Sequence, residues 1–115
     1  MDLPINYLAP DFAVAPQLSP EQIRELAAKG FRSFVNNRLA HEPGQPPEEA
    51  LAAAAADSNA QYERLPVDPA HITVEDVARF AALIDRMPRP TVAFCRSGSR
   101  SSILYRAVVD GVHRR

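Results

Sequence analysis

The residues able to do chemistry fall in one short stretch, Cys95-Arg96-Ser97-Gly98-Ser99-Arg100-Ser101. Cys95 is the only cysteine, and it follows Thr91-Val92-Ala93-Phe94, an apolar and β-branched run that reads as a strand. Behind the stretch, Ser101-Ser102-Ile103-Leu104-Tyr105 opens an amphipathic helix. Strand, loop and helix in that order aim backbone N–H groups and a helix N-terminus at one point. A thiol at that point is favoured as thiolate by the helix dipole and by the two arginines beside it. The pattern makes Cys95 a candidate nucleophile and Arg100 a candidate bidentate ligand for two substrate oxygens, a contact that lysine does not copy. Gly98 permits a sharp turn with close backbone approach. Arg96 adds positive field, Ser97 lies within the ring, and Ser99 and Ser101 offer hydroxyls to the thiolate or the bound anion. A lone cysteine is more often a small buried hydrophobe at a strand end. The glycine, the second arginine and the helix start favour the chemical reading here.

The elements that must hold this stretch alternate along the chain. Ile5–Leu8 and Phe12–Val14 read as two short strands around a turn at Ala9-Pro10-Asp11. Ser19, Pro20 and Gln22 form a helix start with a capping-box pattern, and Gly30 stops that helix. Phe31–Asn36 reads as a strand, followed by a long polar loop over 37–47 and a helix from Pro47 to Asp57. Gln61–Val67 reads as a further strand. Thr73 caps a helix with Glu75 and Asp76 in its first turn and an apolar face of Val74, Val77, Ala78, Ala81 and Ile84, ended by Pro88. Helix and strand in alternation predict one α/β domain over residues 1–115, a mainly parallel central sheet flanked by helices.

Bulk properties narrow the partners. Apolar residues are 46% and charged residues 23% of the 115, with a net charge of −1, the balance of an ordinary globular domain. No basic excess favours nucleic acid or a membrane surface, and no apolar run approaches the roughly 20 residues needed to span a bilayer. The start Met1-Asp2-Leu3-Pro4 lacks the basic and apolar regions of a signal peptide. With one cysteine and no internal disulfide, the expected compartment is the cytoplasm. His41, His71 and His113 are too scattered for a metal motif, so neither metal nor cofactor is expected.

Four segments together resemble the small bacterial domains called DUF442, the phosphatase-like domain of beta-lactamase-hydrolase-like proteins. They are Gly30–Arg38, Glu42–Pro46, Leu65–Val67 and Phe94–Ser101. The likeness runs from about Ile5 to Tyr105. It implies a protein-tyrosine and dual-specificity phosphatase-like fold with the cysteine loop at the carboxyl end of a parallel sheet. Such phosphatases carry His-Cys, five residues, then Arg; here Phe94 replaces the histidine and only Arg96, Ser97, Gly98 and Ser99 separate Cys95 from Arg100. That ring is one residue short and resembles the loop length of rhodaneses, although too few residues follow it for the rhodanese fold. The family also carries a sulfurtransferase label.

Asp68, just past Leu65-Pro66-Val67, stands where the resembling phosphatases hold their general acid; Asp68-Pro69 equally reads as a plain turn. Asn37 and Arg38 end a strand and face the same crevice, with Arg38 otherwise a solvated loop charge or a partner for Glu42. Three functions follow: a cysteine-dependent phosphomonoester hydrolase, a sulfurtransferase passing a persulfide on Cys95, and a module that binds a small anion or a partner without turnover. The implied partner of the first two is a small anionic substrate, either a phosphate ester or a sulfane-sulfur donor.

Overall fold

The computed structural model describes residues 3–114; Met1 and Asp2 of the N-terminal stretch, and Arg115, lie outside the described residues. The elements in order are β1 (Asn6–Ala9), β2 (Phe12–Ala15), α1 (Pro20–Ala28), β3 (Ser33–Asn36), α2 (Glu48–Asp57), β4 (Gln61–Arg64), α3 (Val74–Arg86), β5 (Thr91–Phe94) and α4 (Ser99–Val109), with a closing 3-10 turn. They form one five-stranded sheet in the order β1-β2-β5-β3-β4. The β1–β2 pair is an antiparallel hairpin, and every other pairing is parallel. This is the α/β architecture expected from the alternation.

Each inner strand is buried on both faces, which is why β2 and β5 are almost wholly apolar, while β3 also buries Ser33 and Asn36, each with its side chain hydrogen-bonded. Ala13, Ala15, Phe34, Val92 and Phe94 pack under α1 and α2. Phe12, Val14, Val35 and Ala93 pack under α3 and α4, with Phe80, Leu83 and Leu104 closing that side. Both expected caps form: Ser19 with Gln22 on α1, and Thr73 with Asp76 on α3, each a reciprocal capping box. The buried face of α3 is rotated from the one read in the sequence. Val74 is 46% exposed, while Phe80 and Leu83 are buried, because the helix meets the sheet through the 77–80–84 row. The strand read to Val67 ends at Arg64, since Pro66 lacks the N–H a ladder needs. Helix α4 starts two residues earlier than expected, at Ser99.

The register sets the site. Ala15, Phe94 and Asn36 lie level across the three parallel strands, so Cys95 and Asn37 leave the sheet side by side at its carboxyl edge, where open α/β sheets carry their ligand crevices. Gly98 then turns the chain with φ +94 and stands against β2: a Cβ there would sit 3.3 Å from the Ala15 carbonyl carbon and oxygen. Gly30 also has positive φ, +109, but open space around it. Replacing Gly30 with alanine is expected to cost the left-handed backbone penalty alone, about 1–2 kcal/mol. The Gly98→Ala chain should lose more, because the β2 backbone cannot move aside. Urea unfolding of the two variants measures this, and equal losses would mean the loop does not press on β2.

Candidate active site

The sheet delivers Cys95 into a ring held from both ends. Its N–H donates to the Ala15 carbonyl at 3.3 Å, and the Gln17 N–H donates to the Arg96 carbonyl at 3.2 Å, so β2 grips the start of the loop. Farther on, the Gly98 N–H donates to Cys95 Sγ at 3.1 Å, a contact made inside the ring. Cys95 is 1% exposed. Gly98 caps α4 without a side chain, and the first turn of a helix leaves its N–H groups without intrahelical acceptors. The peptide N–H groups of Arg96, Ser97, Arg100 and Ser101 have no acceptor among the described residues. Together they line the ring with donors, the arrangement that suits an anion.

Arg100 enters from the first turn of α4 and is 5% exposed. Its Nη1 donates to Glu42 Oε2 at 2.7 Å, to the Val67 carbonyl at 3.0 Å and to the Asn37 carbonyl at 3.3 Å. Its Nη2 donates to Glu42 Oε1 at 3.0 Å. One edge of the guanidinium is thereby fixed by a fork-to-fork ion pair, and Nε–H and one Nη2–H remain for a second acceptor. The hydrogen bond to Glu42 raises the guanidinium pKa despite burial, and the neighbouring Cys95 adds to the rise. Glu42 itself is held at about 2, first by the Arg100 hydrogen bond, against the opposing effect of burial, and then by the Leu39 N–H and Arg38.

Arg38 shares that carboxylate. Its Nε donates to Glu42 Oε1 at 3.0 Å, Nη1 to Gln17 Oε1 at 2.9 Å and Nη2 to the Pro43 carbonyl at 2.8 Å. Arg64 supports the same loop, donating to the Arg38 carbonyl at 2.6 Å and pairing with Glu48. Asn37 joins the three emerging segments. Its N–H donates to the Phe94 carbonyl, its carbonyl accepts from the Val67 N–H, and its side-chain amide donates to the Leu65 carbonyl at 2.9 Å. That last bond fixes the amide orientation, so Ser101 Oγ donates to Asn37 Oδ1 at 2.8 Å.

The residues singled out by sequence thus separate. Cys95, Gly98 and Arg100 meet at the ring. Arg96, Ser97 and Ser99 are exposed on its rim, and Asp68 faces them across a cleft of about 830 Å³. The Asp68 carboxylate accepts the Ala70 N–H at 2.9 Å, so the residue makes the turn and lines the cleft at once. Ser101 is fully buried and its one hydroxyl proton goes to Asn37, so its side chain supports the loop and its backbone N–H alone is left toward the ring. Arg38 is 3% exposed with its guanidinium engaged by Glu42, Gln17 and Pro43, so it is the Glu42 partner and not a free ligand. Glu42 and Gln17 were not read as site residues. The spacing of Arg38 and Glu42 carried a signal; nothing local marked Gln17. Among the described residues no three His, Cys, Asp or Glu side chains group closely enough to hold a metal ion, and no helix is long and apolar enough to cross a membrane.

Comparison with known proteins places this geometry. Residues 4–111 match the family model of the beta-lactamase hydrolase-like protein, phosphatase-like domain. A beta-lactamase hydrolase-like protein of Xylella fastidiosa is 32% identical over 106 residues, 90% of this chain but 25% of that protein. The chain therefore spans about a quarter of the length of the curated relatives it matches. A crystal structure of a candidate phosphatase from Neisseria meningitidis superposes with a TM-score of 0.82 at 27% identity, over 98% of this chain and 86% of that one. The core catalytic domain of a PP-IP phosphatase from S. cerevisiae, solved with citrate, shares the fold at a TM-score of 0.74 and 13% identity, over 92% and 64% of the two chains. The architecture is the protein-tyrosine-phosphatase-like one that the resemblance implied.

The shared carboxylate has a measurable consequence. Glu42→Ala leaves two buried guanidinium groups without their counter-ion and should destabilise the fold by roughly 3–5 kcal/mol. The same quantity appears as a pH effect. A carboxyl held at about 2 when folded and near 4.5 when unfolded contributes stability that is complete above about pH 5 and is lost as pH falls through 2. Unfolding free energies of wild type and Glu42→Gln should stay a constant distance apart above pH 5 and converge between pH 4.5 and 2. Parallel curves throughout that window would remove Glu42 from this role.

Proposed function

The chain belongs to the phosphatase-like domain family of the beta-lactamase hydrolase-like proteins, and from that premise we propose that it is a cysteine-dependent hydrolase of phosphate monoesters. The observation that carries the reading is the half-occupied guanidinium of Arg100. Glu42 and two carbonyls hold one edge, and the free Nε–H and Nη2–H suit two oxygens of a tetrahedral anion bound over Cys95. Cys95 Sγ, as thiolate, attacks phosphorus; the sulfur–phosphorus bond forms as the ester bond to the leaving oxygen breaks. Arg100 and the ring amides take the charge on the three remaining oxygens. Asp68 donates a proton to the leaving oxygen from across the cleft, then accepts one from the water that hydrolyses the cysteinyl phosphate. Arg96, Ser97 and Ser99 form the rim over which the substrate enters.

Sulfur transfer is the second reading, favoured by the ring itself. With four residues between Cys95 and Arg100, and with the Gly98 N–H turned onto Sγ at 3.1 Å, the ring offers less room for three phosphoryl oxygens than for one sulfur. Cys95 thiolate would attack the outer sulfur of thiosulfate, releasing sulfite and leaving a persulfide, and an acceptor thiol would then take that sulfur. No acid is needed in that sequence.

Cys95→Ser should abolish turnover of an aryl phosphate. Asp68→Asn should lower kcat/KM for alkyl phosphates roughly 100-fold while sparing kcat/KM for nitrophenyl phosphate, whose leaving group needs no proton in the first step. Retained aryl-phosphate activity in the serine variant rejects the hydrolase. Mass spectrometry after thiosulfate treatment separates the alternatives: one added sulfur on Cys95 supports transfer, and sulfate binding with neither activity marks a binding module.

A further inference from the structure

We infer that the substrate extends past the ring into a second subsite, a groove between α4 and the β1–β2 hairpin that receives an apolar body ending in a distal anionic group. The inference rests on the reading of Cys95 and Arg100 as the phosphate-ester centre. The groove encloses about 420 Å³ and adjoins the reaction cleft across Ser97 and Ser99, which line both. Its walls bring Ile5 and Ile103 against Asn6, Ser102 and Arg106. Ile103 is 51% exposed, an apolar side chain left in water on a helix whose neighbour Leu104 is fully buried. Among the described residues, the side chains of Asn6, Ser102 and Arg106 make neither a hydrogen bond nor an ion pair. An apolar trough with a few converging, uncommitted polar groups is the usual composition of a ligand site.

Helix geometry gives the groove a direction and a length. Ser99, Ser102, Ile103 and Arg106 stand at offsets of three, four and seven on α4, so they form one stripe that begins at the ring. Arg106 lies about 10 Å from Ser99 along the axis, at roughly 1.5 Å per residue. Its exposed guanidinium, without a partner among the described residues, favours a carboxylate or phosphate there. A compact phosphate ester would fill the reaction cleft alone. An ester with a second anion about 10 Å from phosphorus would reach both arginines, with its middle on Ile103.

The test uses aryl phosphates bearing para tethers of increasing length, each ended by a carboxylate or by a neutral carboxamide. It is run on the whole chain and on Arg106→Glu and Ile103→Ser. The carboxylate tether that spans about 10 Å should show a KM three- to tenfold lower than its carboxamide twin, roughly. The advantage should vanish in Arg106→Glu and pass there to an ammonium-ended tether, while plain nitrophenyl phosphate is turned over alike by all three proteins. No dependence on length or end group overturns the subsite, as does an equal loss on plain nitrophenyl phosphate. If wild type hydrolyses none of these esters, the reaction reading has failed on its own. Calorimetric binding of the matching phosphonates then decides: affinity lost in Arg106→Glu keeps the groove, and unchanged affinity overturns it. A dimer seen by sedimentation and dispersed by Ile103→Ser would assign the stripe to a second copy and overturn the proposal.

Discussion

Everything at the carboxyl edge of the sheet depends on a single carboxylate shared by two guanidinium groups. Glu42 accepts both forks of Arg100, the Nε of Arg38 and the Leu39 N–H. Burying two arginines without it would leave uncompensated charge in a place where water is scarce, which is far costlier than the pair itself. With it, Arg100 can stand almost wholly buried beside Cys95 and still present one edge outward. The long polar loop after β3 is therefore the electrostatic floor of the site. Its fold is enforced from behind by Arg64 on the Arg38 carbonyl and by the Gln45 side-chain amide on the Leu39 and Glu42 carbonyls.

A second constraint is steric and comes from β2. Because Ala15 and Phe94 are level, the cysteine ring has to pass directly over the end of a neighbouring strand. Only a residue without a Cβ, free to take positive φ, fits where Gly98 does. The same contact lets the Ala15 carbonyl take the Cys95 N–H, so Cys95 is tied to a strand that is buried along its whole length. Charge from one side and backbone contact from the other hold sulfur and guanidinium in a fixed relation, which is the requirement of a positioned catalytic pair.

Much of this was legible in the residues. The alternation of elements, both helix caps and the ring from Cys95 to Arg100 follow from local chemistry, and the four resembling segments named the fold. Less local features were harder to read. Ser101 and Arg38 looked like ligands because their types suit anions, yet burial sends one to Asn37 and the other to Glu42. Burial is a tertiary fact that composition does not carry. Asn37 and Gln17 act through partners more than twenty positions away, Ser101 for the first and Arg38 for the second, and no short-range pattern reports such pairs. The helix face of α3 was misjudged because Val74 is apolar but sits in the first turn, before the helix meets the sheet. Asp68 was readable as a general acid or as a plain turn; the turn forms, and the residue also lines the cleft.

The fork between Glu42 and Arg100 also bears on timing. A guanidinium on a free side chain must search its rotamers when an anion arrives, and that ordering is charged against affinity. Here the search is finished before any encounter, since the planar group is clamped along one edge and held buried beside Cys95. Anion capture should then proceed in one kinetic step, at a rate governed by diffusion and ionic strength, without a slower closing phase behind it. A protein built this way behaves as a lock already set, and its selectivity has to come from the shape and charge of the walls around the ring.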